Sequence, residues 1–330
     1  MEPRKQHIVP KSYLKKFSIS GKPDTVYCVK IKQQYPNVSI KSSHVSSICY
    51  IKDFYTIETQ ELLDQYSIDD KYFIEKQAFL YENELNGYIE KIRLKKQLNS
   101  VEAEKFIGII LNIKKRNLAM ASIYFKESII NESLDKQFFK LRNSAYRYKD
   151  KFKEIGVDIE NVINNTELIA KERYKCQSYR QDLYREGFLE ELFKGQANRN
   201  LIKHLSNQKF YVFTTTQDYP FITNDNPGST LTKEEVVVNT GFGNWAAFSF
   251  PLSPEMLFMV MEGNFDFHAY GIIKNIHFRK VDAVFVDFAN KACVFNANEM
   301  IIANNIGMLQ DMMARYRHIF YPDEKQMQSN

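Results

Sequence analysis

Cysteine is scarce and scattered in this chain of 330 residues. Cys28, Cys49, Cys176 and Cys293 form no CxxC pair and have no histidine at metal-finger spacing. That argues against a disulfide-stapled scaffold and a zinc finger, and makes a reduced cytoplasmic setting the default expectation. Long hydrophobic runs are lacking as well. The longest, Phe106 to Ile113, already contains Gly108 and Asn112 and is too short to cross a bilayer, so no membrane partner is expected. Met1-Glu2-Pro3-Arg4-Lys5 is not followed by an apolar secretory core. Glycine-rich phosphate loops of the GxxxxGK[ST] or GxGxxG kind are missing, as are HExxH and GxSxG. The six histidines, at 7, 44, 204, 268, 277 and 318, show no metal-ligand spacing. No internal repeat and no low-complexity tract is present.

What is there is the composition of a folded protein. Hydrophobic residues make up 44% and charged residues 26%, which separates the chain from disordered sequences. The net charge of +5 matters mainly where it is clustered. Lys/Arg excess occurs at 4–32 and again at 91–116, where eight basic residues face Glu102 and Glu104. Together these would make a basic surface suited to nucleic acid, although solvated helix faces account for the same residues more simply.

Two stretches carry most of the information. The first is Gln6-His7-Ile8-Val9-Pro10, followed by Tyr13, Leu14 and Phe17. Pro10 pushes Val9 towards extended geometry and is tolerated at a helix start. The spacing therefore predicts an extended arm feeding a short helix whose apolar side docks on the body, with His7 anchored. The second is Phe221-Ile222-Thr223-Asn224-Asp225-Asn226-Pro227, a strand running into an Asx-rich corner. Such a corner holds a carboxylate and a carboxamide stiffly, for coordinating a cation, for orienting a water, or simply for turning the chain.

Between them the chain reads as short strands over 24–57, then as helix. Ile74, Ala78, Tyr81, Leu85, Tyr88, Ile89 and Ile92 repeat at helical spacing and place Glu75 and Glu82 seven residues apart on one face. Ser100 is the expected N-cap of a helix running to about Phe125, with Arg116-Asn117 well inside it. Leu134, Phe138, Leu141, Ala145, Tyr148, Phe152 and Ile155 alternate by four and three, and Gly156 closes the helix. That seam packs within the chain or against a second subunit or partner. After Lys209 the texture turns to β, with runs at 210–215, 221–223, 236–238, 247–250, 256–260 and 284–286. A helix is expected from about Asn298 to Phe320. The fold expectation is α+β, a mostly antiparallel sheet built from N- and C-terminal segments around a central helical block. Residues 1–69 are the arm and short strands, 70–205 the helical block, and 206–330 the sheet with its closing helix, the three making one composite domain.

These motifs together resemble a known family. His7-x-x-Pro10-x-x-Tyr13-Leu14-x-x-Phe17 is similar to the opening signature of the prokaryotic domain of unknown function 4238. Asp53-Phe54-Tyr55 before a helix with Glu75 and Glu82, Arg116 in the next helix, and the 221–227 stretch followed by Phe250-Pro251-Leu252-Ser253-Pro254 extend the likeness, as does a final helix with Asn304 or Asn305. The family more often has serine where this chain has Asn224. The resemblance implies a bacterial cytoplasmic protein and a polar site, without bringing an activity. Two functions are set against each other. In one, a nuclease-like hydrolase acts on nucleic acid, in phage defence or as a toxin. Asp225 and Glu82 or Glu75 would hold a hard divalent ion, Mg2+ or Mn2+, His7 would serve as base or acid, Arg116 would face phosphate, and Asn226 and Asn305 would orient groups. In the other, the chain is a non-catalytic sensor or binding module whose polar motifs knit the arm to the sheet.

Overall fold

Pro10, with φ −58° and ψ 136°, converts the extended arm Lys5–His7 into a short helix, Lys11–Leu14, continued by a 3-10 turn at Lys15–Phe17. Tyr13, Leu14 and Phe17 are fully buried, so the apolar side docks as the spacing predicts. The computed structural model describes residues 5–31, 38–125, 127–195, 198–234, 237–238, 242, 245–263, 267–268 and 273–320. The turns expected at Tyr35-Pro36-Asn37 and around Gly241, Gly243 and Asn244, and the tail at 325–330, lie outside the described residues. The fold is α+β with mostly antiparallel pairing, and the chain divides into two units.

The first unit comprises residues 1–54, 79–119 and 195–330. Its larger sheet runs, in order, Phe267–His268, Ile273–Lys280, Lys209–Thr214, Met256–Met261, Trp245–Ser253, Ser229–Thr232 and Val237–Val238, and Gln97–Asn99 also pairs with Ile273–Lys280. Only the Ile273–Lys280 pairing with Lys209–Thr214 is parallel among the described strands. A smaller antiparallel sheet runs Lys41–His44, Thr25–Lys30, Met300–Ala303 and Thr223–Asn224. Lys5–His7 pairs with Tyr50–Lys52, setting His7 opposite Tyr50. Phe106 and Phe210 both meet Phe258 edge-on at 5.0 Å between centroids, which ties the Ser100–Lys115 helix to the larger sheet.

The docked Tyr13 joins both sheets. Its hydroxyl donates to the Pro251 carbonyl at 2.8 Å and shares a hydrogen bond with Thr223 Oγ1 at 2.7 Å. Sequence neighbours of His7 thus pin the corner that contains Asp225.

The second unit comprises residues 55–78 and 120–194. Helices Glu127–Tyr146 and Ile159–Lys175 pack through Ile130, Leu134, Phe138, Ala145 and Ile163. Arg142–Glu167 and Lys171–Asp135 ion pairs flank that seam. Asp182 is buried and accepts from the Thr59 amide at 2.8 Å and from Arg185 at 2.7 Å.

Several element boundaries differ from the periodicity reading, each for a local reason. The single helix expected through Ile74 and Ile92 is three pieces, Phe73–Gln77, a 3-10 segment Leu80–Glu84, and Leu85–Lys95, with Phe79 at φ −118° leaving the helical region. Asn99, not Ser100, caps the next helix. Its side chain accepts from the Glu102 amide while Glu102 reaches back, a capping box. That helix ends at Lys115, because the Asn117 side chain takes the Lys114 carbonyl in place of a backbone partner.

The heptad helix breaks at Tyr148 before a short Lys149–Glu154 piece, since the chain must reverse there to lay Ile159–Lys175 alongside. Leu141, Tyr148 and Ile155 of the seam consequently remain exposed. Phe54–Ile57 forms no strand. Residues 284–286 belong to a helix, Ala283–Asn296, nucleated by Asp282 accepting from the Phe285 amide. A short apolar run does not by itself tell buried helix from strand. Met300–Ala303, expected as helix, is a fully flanked strand, and the closing helix starts only at Ile306.

Candidate functional site

The residues singled out by sequence fall into four places. His7, Glu82 and Arg116 come together. Arg116 follows the last turn of the Ser100–Lys115 helix and is only 2% exposed. Its guanidinium lies 3.5 Å above the Phe79 ring centroid, pairs with Glu82 and donates to the His7 carbonyl. A planar, permanently charged fork is needed for this triple role, which lysine does not supply.

His7 is buried beside Tyr50, ring centroids 5.8 Å apart. Burial, followed by the positive charges of Lys11 and Arg116, pushes its imidazole down to about 4, so the ring is neutral at neutral pH. Hydrogen bonding to the backbone of Val45 and Ser46 works the other way, the ring acting there as donor. Nε2 has no partner. The proton therefore sits on Nδ1 and leaves a lone pair on Nε2.

Asp225 and Asn226 form a second cluster, not hydrogen-bonded to His7. Asp225 is 4% exposed, and its two carboxylate oxygens accept one amide each, from Asn298 at 2.9 Å and Glu299 at 2.8 Å. Burial raises its carboxyl to about 6, against the pull of those amides. Asn224 Oδ1 accepts from the Asn226 amide at 2.8 Å, and its Nδ2 donates to the Cys293 carbonyl at 2.6 Å. Asn226 and Asn296 exchange side-chain to backbone bonds, both at 2.9 Å. Lys114, in the last turn of the Ser100–Lys115 helix two residues before Arg116, enters the cluster and donates to Asn226 Oδ1 at 2.8 Å and to the Gly228 carbonyl. Desolvation pushes its ammonium well below the usual lysine value.

Gly228, at φ +84°, makes the corner possible. A Cβ there would sit 2.9 Å from the Phe250 ring. Lys114, Asn296 and Asn290 were missed by sequence reasoning. Lysine in a basic run reads as a solvated face, and the asparagines follow no spacing rule.

Asn305 stands apart, capping the Ile306–Arg315 helix through the Met308 amide at 3.3 Å. It lines a cleft of about 520 Å³ with Asp218, Asp287, Asp311 and Arg315. Glu75 belongs to the second unit. It shares no helix with Glu82, which corrects the common face expected from their spacing. Asp225 and Glu82 occupy different clusters and are already engaged. Among the described residues no group of three or more His, Cys, Asp or Glu is arranged to hold a metal ion. Asp225 and Glu82, each engaged in its own cluster, are not arranged to share Mg2+ or Mn2+. Among the described residues no helix is long and apolar enough to cross a membrane.

No curated protein and no solved structure matches the chain. The family model described as Protein of unknown function (DUF4238) matches residues 5–306. With the docked His7–Phe17 arm and the 221–227 corner both inside that match, the chain belongs to the DUF4238 family.

Proposed function

We propose that this protein is a non-catalytic sensor or binding module, in which the 221–227 corner and the N-terminal arm are framework. One observation carries the reading. Asp225 spends both carboxylate oxygens on backbone amides in a closed setting. A carboxylate used that way fixes the chain and is not free to bind metal or activate water. Asn224 and Asn226 beside it are likewise buried and bonded. Leu141, Tyr148 and Ile155 are exposed apolar side chains that a partner or second copy would cover.

The test uses mixed DNA and RNA, with and without magnesium or manganese, alongside Asp225→Asn and His7→Ala. The expected result is no cleavage, with Asp225→Asn losing about 1–3 kcal/mol of stability because its amide group faces a backbone N–H. Cleavage by the wild type that disappears in both variants, while their unfolding midpoints stay unchanged, would overturn the proposal.

A second reading keeps one supporting observation. The His7 lone pair on Nε2 is unprotonated at neutral pH and lies in the cluster with Arg116, as a general base beside a phosphate-binding cation requires. The nuclease-like hydrolase would then use His7, Glu82 and Arg116 without Asp225.

A further inference from the structure

From Thr25 to Lys52 the chain contains no Asp or Glu, while Lys30, Lys32, Lys41 and Lys52 fall within that stretch. The stretch supplies Thr25–Lys30 and Lys41–His44, two strands of the smaller sheet. One face of that sheet is core. Val29, Ile301 and Ala303 pack there with Leu309 and Met312 of the closing helix. Strand alternation sends Cys28, Lys30, Lys41, Ser43 and Met300 to the other face, with Lys41 directly opposite Cys28 and Met300 directly opposite Lys30. The Cys28 thiol donates to Ser43 Oγ at 3.4 Å, so the two strands do present these side chains together. With Ser39, Ser47 and Ile48 these residues line a pocket of about 190 Å³.

The charge in this pocket has one sign. Lys30 and Lys41 are diagonal neighbours across the antiparallel ladder, a placement that sets residues roughly 7–8 Å apart. Among the described residues no carboxylate lines the pocket and neither lysine has an ion pair. Like charges side by side on a sheet are destabilising, and an anion between them turns that repulsion into attraction. Hydroxyl donors complete the set. Ser43 Oγ accepts the thiol proton and keeps its own O–H to donate, and Ser39 makes no hydrogen bond among the described residues. Ser47 is already spent on the His44 carbonyl. Burial holds the Cys28 thiol above its usual value, against the Ser43 hydrogen bond and the charges of Lys41 and Lys30. The floor of the pocket is therefore uncharged.

Size and donors together select the ligand. Pockets for drug-sized molecules begin near about 300 Å³, so this one suits an ion of a few heavy atoms. Two ammoniums and two free hydroxyls are the complement of a tetrahedral oxyanion. We propose that Lys30, Lys41, Ser39 and Ser43 bind a phosphate group, as the free ion or as the end of a small phosphomonoester. The site uses none of the residues of the 221–227 corner, and it goes beyond the binding-module reading.

Isothermal titration of the full chain with inorganic phosphate, at constant ionic strength and without other oxyanions, tests this. Lys30→Gln, Lys41→Gln and the double variant are titrated alongside, and glycerol phosphate and a dT oligonucleotide serve as further probes. One saturable phosphate site per chain is expected. Each single substitution should weaken it about tenfold or more, as one lost charge-assisted hydrogen bond implies, and the double variant should lose it. Both lysines are exposed, so without phosphate the variants should unfold at the wild-type midpoint. Phosphate should raise the midpoint of the wild type and leave that of the double variant unchanged. Either order of affinity between inorganic phosphate and glycerol phosphate supports the site, and the order tells free ion from ester. Absence of a saturable site overturns the proposal, and so does binding that survives in the double variant. Oligonucleotide binding with both small phosphates silent would assign the face to a nucleic-acid backbone and overturn it too. A lowered midpoint in the phosphate-free variants would show that the lysines serve the fold instead. None of these outcomes depends on cleavage, so failure here is separable from failure of the binding-module reading.

Discussion

The Lys114 ammonium donates to Asn226 Oδ1 at 2.8 Å in a pocket where both residues are almost completely buried. A buried cation facing carbonyl oxygens is costly, and its lowered affinity for protons records that cost. In the unfolded chain the lysine keeps its usual affinity, so the unfolded state binds more protons as pH climbs towards 10.5. Stability from this residue therefore rises with pH across that window. Urea unfolding at increasing alkaline pH should show the wild type gaining on Lys114→Met. Equal pH dependence in the two proteins would contradict the burial argument.

His7 and Asp225 act in opposite directions on the acid side. His7 is lowered from 6.5 to about 4, so its contribution is present above 6.5 and is lost as pH falls towards 4. Asp225 is raised from 3.8 to about 6, so its contribution is present below 3.8 and is lost as pH rises through 6. The two partly cancel between about 4 and 6. His7→Phe should unmask the Asp225 slope, giving a protein that becomes less stable from pH 4 to 6. Thermal midpoints across that range in wild type and variant decide it.

Gly228 cannot accept a side chain without movement of Phe250, and its φ of +84° disfavours any L-residue. Gly228→Ala should cost about 1–3 kcal/mol in denaturant unfolding. Gly21, also at positive φ but with open space where a methyl group would stand, should lose less on the same substitution. Similar losses at both sites would show that backbone strain, not the Phe250 contact, dominates.

Arg116→Met leaves Glu82 buried without its cation and should destabilise by about 3–5 kcal/mol. Adding Glu82→Leu removes the stranded charge, so the double variant should recover part of that loss. A double variant no better than the single one would place the value of Arg116 in its stacking on Phe79 and its bond to the His7 carbonyl.

The α+β class and the docked arm were legible because they depend on short-range rules. Pro10 sets the backbone before and after itself, and Tyr13, Leu14 and Phe17 announce one apolar face. The β-runs after Lys209 were legible for the same reason, and appear as strands at Lys209–Thr214, Trp245–Ser253 and Met256–Met261. Element ends were harder. Val284 to Val286 satisfies strand and helix patterns alike until the Asp282 cap is seen to hold the Phe285 amide.

Sequence alone determined that this chain folds as α+β, that its arm docks, and that a rigid Asx corner follows Phe221, since each follows from residues within a few positions of one another. The tertiary structure alone decided which polar groups meet. Asp225 finds its partners at Asn298 and Glu299, Lys114 finds Asn226, and Arg116 finds Glu82 and His7. Those pairings join segments tens to more than a hundred residues apart, where spacing carries no information and only the packing of sheet on helix brings donor to acceptor.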